Sequence, residues 1–326
     1  MDFFRRQNWD IVGRSWLWLG LSAAFILFGM VWWATHGMNY GIDFTGGILL
    51  RYEMESPILG GHAEERQILR SLRQELQQHG LGSSQLQISG NDQLYIRVAE
   101  VEGGQSGAAS MEAEILSSFQ KVLGDKYGEI TVGDRERVGP IVGEQLRQSA
   151  MWALILGMAL ILIYIAIRYE FRFAVAAVAG LLHDILIMVA FVALLQIELD
   201  SSFVAAILTV VGYSINDTVV IFDRIRENRK LHRGADFNAT VNSSLLQTMN
   251  RSLNTTFTTL ITLTALFVWG GATIRNFVLV LIIGIASGVY SSLFTASPII
   301  SLWYARSQRL AQRARAARAS RGPASA

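Results

Sequence analysis

The residue with the clearest chemical potential is Asp217, an aspartate inside a hydrophobic segment. It precedes Asp223, the first acid in a solvent-compatible position, by six residues, most of them apolar. A helix rises about 1.5 Å per residue, so Asp217 should lie ~9 Å deeper in a membrane than Asp223. A carboxylate at that depth is costly, and such acids usually serve ion or proton movement. The pattern therefore indicates a membrane protein rather than a soluble enzyme.

Arg251 is a candidate partner for this acid, because it opens a later hydrophobic segment. A buried acid beside a movable arginine can take up and release a proton. Asn254, Thr258 and Thr262 follow at i, i+4 spacing and predict a polar stripe on one helix face. Structural alternatives stay open: a hydrogen bond between helices for the acid, a snorkelling anchor for Arg251, and helix contacts for the threonines.

Four further polar residues could support the same site. Ser214 and Asn216 flank Asp217 and could polarise its cavity. His183 and Asp184 lie near the middle of another apolar segment. Neighbours in a helix point about 100° apart, so only one of the latter two can face a given cavity. Their spacing does not favour a metal site, and either a proton relay or a hydrogen-bonded pair between helices fits them.

Six segments are apolar enough to position these residues inside a bilayer, which takes about 20 residues to cross. The chain of 326 residues is 51% hydrophobic and 17% charged, against about 25% charged residues in soluble domains. The predicted spans are 15–34, 150–167, 174–195, 203–222, 253–271 and 277–304. In span six, Gly284-Ile-Ala-Ser-Gly288 forms a small-xxx-small motif extended by Ser291 and Ser292, which we interpret as packing alone.

Several function classes are excluded by composition. The chain has no cysteine, so it has no disulfide, thiolate metal site or cysteine nucleophile. It shows no nucleophile–base pair and no nucleotide-binding loop, so we expect no enzyme activity, no cofactor and no metal.

Basic residues predict the orientation, because they cluster before span one, after span six and in the connections 168–172 and 223–233. This predicts a cytoplasmic N-terminus at 1–14, a bundle at 150–304 and a cytoplasmic basic tail at 305–326. We expect the tail to contact anionic lipid rather than nucleic acid. Span one begins like a signal peptide, but its apolar stretch is long and lacks a clear cleavage site, so we expect it to be retained.

The region 35–149 between spans one and two predicts a small exterior domain. Strand patterns at 48–55, 85–89, 93–99 and 129–138 alternate with amphipathic helices at 64–78 and 111–123. The order β-α-β-β-α-β is that of a ferredoxin-like α+β domain. A glycine-rich connection at 102–107 and a turn at 90–92 complete it. The predicted fold class is therefore a polytopic α-helical membrane protein with six transmembrane helices and this α+β domain.

Five sequence stretches resemble the SecD/SecF family of protein-export membrane proteins, which is related to the RND superfamily. They are Gly-Ile-Asp-Phe-Thr-Gly-Gly at 41–47, Arg-Tyr-Glu-Phe-Arg at 168–172, His-Asp at 183–184, residues 212–228 and Arg-Ser-Leu-Asn-Thr-Thr at 251–256. By resemblance, Asp217 and Arg251 match intramembrane proton-pathway residues. The first stretch is a flexible turn rather than a phosphate loop, and we expect Gly41, Asp43, Gly46 and Gly47 to form a hinge.

The resemblance also implies partners and a location. It implies an RND-like half that pairs with SecD, which would supply the remaining acid, and that associates with the SecYEG channel and YajC. With SecA acting earlier, the complex would use the proton-motive force to promote late steps of preprotein export across the bacterial inner membrane, with 35–149 periplasmic. Two alternatives stay open: a scaffold that transduces no energy, and half of an RND-type exporter. Sodium could replace the proton, although we favour the proton.

Overall fold

A computed structural model describes residues 9–57, 61–79, 81, 84–89, 92–98, 104–232 and 234–319. In chain order the elements are α1 (Ser15–His36), α2 (Ile42–Thr45), β1 (Gly47–Met54), α3 (Gly61–Gln78), β2 (Gln85–Ser89), β3 (Gln93–Val98), α4 (Gly104–Tyr127), β4 (Ile130–Val138), α5 (Pro140–Arg168), α6 (Phe171–Leu195), α7 (Ser201–Leu231), α8 (Phe237–Trp269), α9 (Ala272–Ser291), a π turn (Ser292–Ala296) and α10 (Ser297–Ala319).

Six helical segments in the described part of the chain are long and apolar enough to cross a membrane. Five are α1, α5, α6, α7 and α8, and the sixth comprises α9, the π turn and the first part of α10. This confirms the six predicted spans. The chain forms two compact units, one of Asn39–Trp152 with Glu198–Ser201, and one of the remaining helical segments.

The helices extend beyond the apolar segments that the sequence predicted. The basic segment after span four is not a loop, because α7 continues to Leu231 and only a short connection precedes α8 at Phe237. Arg251 consequently lies inside α8 rather than at its start. Arginine, glutamate and lysine are good helix formers, so a helix continues readily where its residues leave the apolar layer.

The helical unit is built on close contacts between α6 and its neighbours. A Cβ atom added at Gly29 of α1 would lie only 2.3 Å from the Cβ of Ala190 on α6, so the two helices touch through their backbones. A buried apolar cluster contains residues of α5, α6, α7, α8, the π turn and α10. Its members include Ile165, Phe222 and Val241. This packing fixes the helices that carry the candidate site residues.

The second unit contains a four-stranded antiparallel sheet in the order β2-β3-β1-β4. Its core joins strand residues such as Tyr52 and Ile96 to Leu72 of α3 and Phe119 of α4. The order and topology confirm the predicted ferredoxin-like domain. One boundary was wrong: α4 begins at Gly104, inside the predicted glycine-rich connection, because the alanines and other good helix formers from Ala108 onward outweigh the glycines and serines at its start. Most of the predicted turn at 90–92 lies outside the described residues.

Candidate functional site

Asp217 lies on the buried face of α7. Its residue is 5% exposed, and Val210, Ser214, Thr218 and Ile221 on the same stripe of the helix are equally enclosed. These positions recur at three- and four-residue spacing, which places them on one side of the helix. The acid is therefore held inside the helical unit, as its depth in the apolar sequence predicted.

Two groups on α8 act on the Asp217 carboxyl. The first is the hydroxyl of Ser252, and the second is the guanidinium of Arg251, which acts through its charge. The Ser252 hydroxyl is buried and reaches hydrogen-bond geometry with no described residue. The Arg251 side chain is exposed. The cation is thus within electrostatic range of the acid but is not enclosed with it.

The predicted polar stripe lies on the exposed side of α8. Asn254, Thr258 and Thr262 are all exposed, and the Thr258 and Thr262 hydroxyls donate to backbone carbonyls one turn earlier at 3.1 and 3.2 Å. A hydroxyl satisfied by its own helix is a weak candidate for direct contact with an ion. The structure therefore does not bring these three residues to Asp217.

A second polar stripe, which the sequence reasoning missed, runs along the buried side of α8. Its members are Thr240, Ser244, Thr248, Ser252 and Thr256, each spaced by four residues and at most 7% exposed. The hydroxyls of the first three bond to backbone carbonyls of the same helix. Those of Ser252 and Thr256 have no partner among the described residues. The four-residue spacing of small hydroxyl residues was a signal that could have found this stripe.

Asp184 on α6 is fully buried and lies in a cage of serine hydroxyls. The hydroxyl of Ser214 on α7 lies 2.7 Å from one carboxyl oxygen, and that of Ser291 on α9 lies 2.8 Å from the same atom. The hydroxyl of Ser287, also on α9, lies 2.8 Å from the other oxygen. We call this arrangement of Asp184, Ser214, Ser287 and Ser291 the serine cage. It connects three helices through one side chain.

His183 sits beside the cage without completing it. Its Nδ1 lies 3.3 Å from Asp184, and its ring stacks on Tyr290 of α9 with the ring centroids 5.7 Å apart. The Nε2 atom is buried with no partner among the described residues. Within the described chain, no group of three or more His, Cys, Asp or Glu side chains could hold a metal ion.

The predicted supporting residues therefore do not form one site with Asp217. Some belong to the serine cage or lie beside it, and the others are exposed. Ser214 donates to Asp184, although it lies one turn from Asp217 on the same face of α7. Asn216 is exposed. Ser287 and Ser291 were missed, because the small residues of α9 were interpreted as packing alone. That packing is also present, since a Cβ atom at Gly284 would lie 2.5 Å from Val210.

In the second unit, the glycine-rich stretch forms a short helix bound to the start of α7. The Asp43 carboxylate accepts a hydrogen bond of 2.8 Å from the backbone N–H of Ser201, the first residue of α7. The N–H of Gly41 donates to the Leu199 carbonyl at 2.6 Å. A carboxylate at a helix N-terminus also interacts favourably with the helix dipole. Asp43 therefore acts as a cap for the helix that carries Asp217.

Two glycines in this stretch have a specific backbone role. Gly46 and Gly47 have φ angles of 72° and 140°, which side chains rarely adopt. A Cβ atom at Gly47 would also lie 2.6 Å from the carbonyl oxygen of Val98 on β3. The turn from α2 into β1 consequently depends on glycine. The structure shows an ordered turn, and its use as a hinge remains a prediction.

A buried ion pair lies close to this cap in the same unit. The guanidinium of Arg97 on β3 pairs with the carboxylate of Glu198, and both side chains are mostly buried. Desolvation lowers the pKa of Arg97, while the charge of Asp200 opposes that shift. Arg97 and Asp43 together bind the connection 198–201 to the rest of this unit.

The fold and the site define a multi-pass helical membrane protein with two acids enclosed among its helices. A small α+β domain is inserted between its first and second spans.

The chain belongs to the SecD/SecF family. Residues 118–306 match the family model described as "Protein export membrane protein SecD/SecF, C-terminal", and residues 31–58 match the "SecD/SecF GG Motif". The protein translocase subunit SecF of Alicyclobacillus acidocaldarius is 41% identical over 312 residues, covering 94% of this chain and 97% of the relative. The subunit of the same name from Haemophilus influenzae is 38% identical, covering 86% and 81% respectively.

Solved structures show the same similarity in three dimensions. A crystal structure of SecDF, described as a translocon-associated membrane protein from Thermus thermophilus, matches with a TM-score of 0.78 at 30% identity over 91% of this chain. A second SecDF structure, described as a super-membrane-facing form, matches with a TM-score of 0.63 at 32% identity over 94%. This chain spans 38% and 40% of those longer chains.

Proposed function

We propose that this protein is an accessory subunit of the Sec translocase that works with SecD and uses the proton-motive force to promote late steps of preprotein export. The observation that carries the proposal is the burial of Asp217 next to an exposed cation. The charge of Arg251 acts on the Asp217 carboxyl, although the Arg251 side chain is not buried with it. A buried acid beside a cation can take up and release a proton, because burial favours its neutral form and the nearby positive charge favours its ionised form.

The proposed mechanism couples the charge of Asp217 to the position of α7. Protonation removes the attraction between the acid and Arg251, so the two helices that carry them become free to shift. A proton that crosses the membrane releases about 2.3 kcal/mol per 100 mV, which is enough to bias a two-state movement. Because Asp43 holds the first residue of α7, a shift of that helix acts directly on the glycine-rich stretch.

The location of the protein follows from the same proposal. We place the chain in the bacterial inner membrane with both termini cytoplasmic and residues 35–149 periplasmic, where they meet emerging preproteins. SecYEG, YajC and SecA are the further partners, and the basic tail contacts anionic lipid. A SecD subunit is proposed to complete the site, which the greater length of the similar SecDF chains supports. The protein itself catalyses no reaction.

The test is preprotein release in vesicles that contain the translocase and the SecD partner, with and without an ion gradient. We expect Asp217→Asn to assemble normally but to lose the gradient-dependent fraction of release, because the amide cannot ionise. Asn216→Ala, which changes an exposed neighbour on the same helix, is the matched control and should keep this fraction. Imposing a proton or a sodium gradient separately identifies the coupling ion.

If the Asp217→Asn protein still showed gradient-dependent release at the normal rate, the proposal would be wrong. The protein would then be a scaffold that holds the translocase together, and Asp217 would serve helix packing. Loss of assembly in the variant would be recognised by purification of the complex, and Asp217→Glu then tests whether a carboxyl at this position restores coupling.

A further inference from the structure

The serine cage suggests a role for Asp184 that differs from that of Asp217. A carboxyl group has about four acceptor positions. In Asp184, three of the four neighbours are hydroxyls at 2.7–2.8 Å, and the fourth is the more distant His183. Hydroxyl donors from two neighbouring helices therefore reach both oxygens of the Asp184 carboxyl.

The cage can hold Asp184 in either protonation state. When the carboxyl is ionised, all three serines donate to it. When it is protonated, Ser291 can donate instead to the carbonyl of Gly288, which lies 3.1 Å away, and accept the proton of Asp184. The bonds from Ser214 and Ser287 are kept in both cases. The link from α6 to α7 is thus independent of the charge on Asp184.

This link is placed where it can control Asp217. Ser214 precedes Asp217 by three residues, so the two lie about 4.5 Å apart along the axis and on the same face of α7. The backbones are also close here, because a Cβ atom at Gly288 would lie 3.0 Å from the Cβ of Ser214. One turn further, the hydroxyls of Thr218 and Ser292 lie 2.8 Å apart.

We propose that Asp184 is a positioning residue, which fixes the rotation and height of α7 through Ser214 and thereby sets the position of Asp217. The inference rests on the proposed function, because it treats Asp217 as the group that exchanges the proton. Among the described residues, the other titratable or charged groups with an interaction at these two acids are His183 on α6 and Arg251 on α8, while Tyr290 on α9 stacks on His183.

The test follows the protonation of Asp217 directly. A hydrophobic carbodiimide modifies protonated carboxyls, so its labelling of Asp217 over a pH series, measured by mass spectrometry on the full-length protein in vesicles, gives a midpoint. We expect Ser214→Ala and Asp184→Ala each to shift this midpoint by about half a pH unit or more, a roughly threefold change in proton affinity. The double variant should show no further shift, because both changes break the same bond.

Two controls separate positioning from packing. Ser287→Ala removes one bond to the same carboxyl but keeps the bond to α7, so it should leave the midpoint in place. Asp184→Asn keeps an acceptor for Ser214 but removes the carboxyl charge, so the further shift of Asp184→Ala relative to Asp184→Asn measures positioning apart from charge. An equal shift in Ser287→Ala and Ser214→Ala, or no shift in any variant, would overturn the proposal.

A second readout covers the case in which Asp217 is not labelled. The chain has no cysteine, so Asn216→Cys introduces a single thiol at an exposed position of α7. Its reaction rate with a maleimide should change when Ser214→Ala is added and stay constant when Ser287→Ala is added. Equal rates in all three proteins would contradict the positioning role. Failure of the proposed function would look different: these shifts would occur while preprotein release stayed insensitive to the gradient.

Discussion

At the scale of single residues, the two buried acids differ in how their oxygens are satisfied. Asp217 was predictable because its depth follows from the apolar residues next to it in the sequence. The surroundings of Asp184 were not predictable, since Ser287 and Ser291 follow it by more than 100 positions. Serine in a membrane helix most often only joins helices, so its type alone does not reveal a bond to an acid.

Glu170, in the turn between α5 and α6, gives a prediction about pH. It accepts hydrogen bonds from Tyr304 and, at 3.0 Å, from Arg229. Burial raises the pKa of Glu170, but these two partners outweigh burial and hold the pKa below its ordinary value. A carboxyl with a lowered pKa stabilises the fold above its unfolded value of about 4.3 and loses that contribution as the pH falls further.

The detergent-solubilised protein should lose thermal stability as the pH falls below about 4.3. We expect the Glu170→Gln protein to lose less, because the amide does not take up a proton. The measurement is the unfolding midpoint over a pH series. Tyr304→Phe removes one of the two donors and should weaken the same dependence in part. A Glu170→Gln protein that loses stability with acid as steeply as the unmodified protein would rule out this role.

At the scale of elements, α8 shows why periodicity alone did not identify the buried face. Polar residues recur every four positions on two sides of this helix, as Asn254, Thr258 and Thr262 on one and Thr248, Ser252 and Thr256 on the other. Both patterns satisfy the same spacing rule. Only the position of the neighbouring helices decides which is buried, and that information is absent from a local pattern.

Close packing of α9 on its neighbours gives a prediction about stability. A Cβ atom at Gly284 would lie 2.5 Å from Val210 and 2.8 Å from the sulfur of Met188. We expect Gly284→Ala to destabilise the protein by about 1–3 kcal/mol, because the helices must separate to admit the methyl group. The measurement is thermal or denaturant unfolding in detergent.

Gly212 on α7 provides the matched control, since an added Cβ atom there would meet nothing within 4 Å. Gly212→Ala should leave stability unchanged or raise it by about 0.5–1 kcal/mol through helix propensity. Equal destabilisation by the two substitutions would mean that close packing at Gly284 is not the cause.

At the scale of the whole molecule, the order of elements was predictable, but the division into units was not. The strand and helix patterns between spans one and two led to the correct sheet topology. The connection Glu198–Ser201 also belongs to the domain's unit, although it lies between α6 and α7 in the chain. Its membership depends on Asp43 and Arg97, which are distant in sequence, so local patterns could not reveal it.

Orientation can be tested with single cysteines, since the natural chain has none. Asp125 on α4 and Gln312 on α10 are both exposed. With a membrane-impermeant maleimide, we expect Asp125→Cys to react in cells whose outer membrane alone is permeable, and Gln312→Cys to react only after the inner membrane is opened. The reverse pattern would invert the proposed topology.

The π turn at Ser292–Ala296 has a consequence for how the sixth span can vary. A π turn is equivalent to an α-helix into which one residue has been inserted. The turn therefore changes which way the side chains after it point relative to those before it. Before the turn, Ser287 and Ser291 face Asp184, and after it Tyr304 stacks on Phe237. A continuous α-helix through all of these residues would rotate the two halves by about 100° against each other, whereas deleting one residue of the turn should remove the bulge and keep both sets of contacts. The turn thus acts as a one-residue spacer that lets each half of the span keep its own partners.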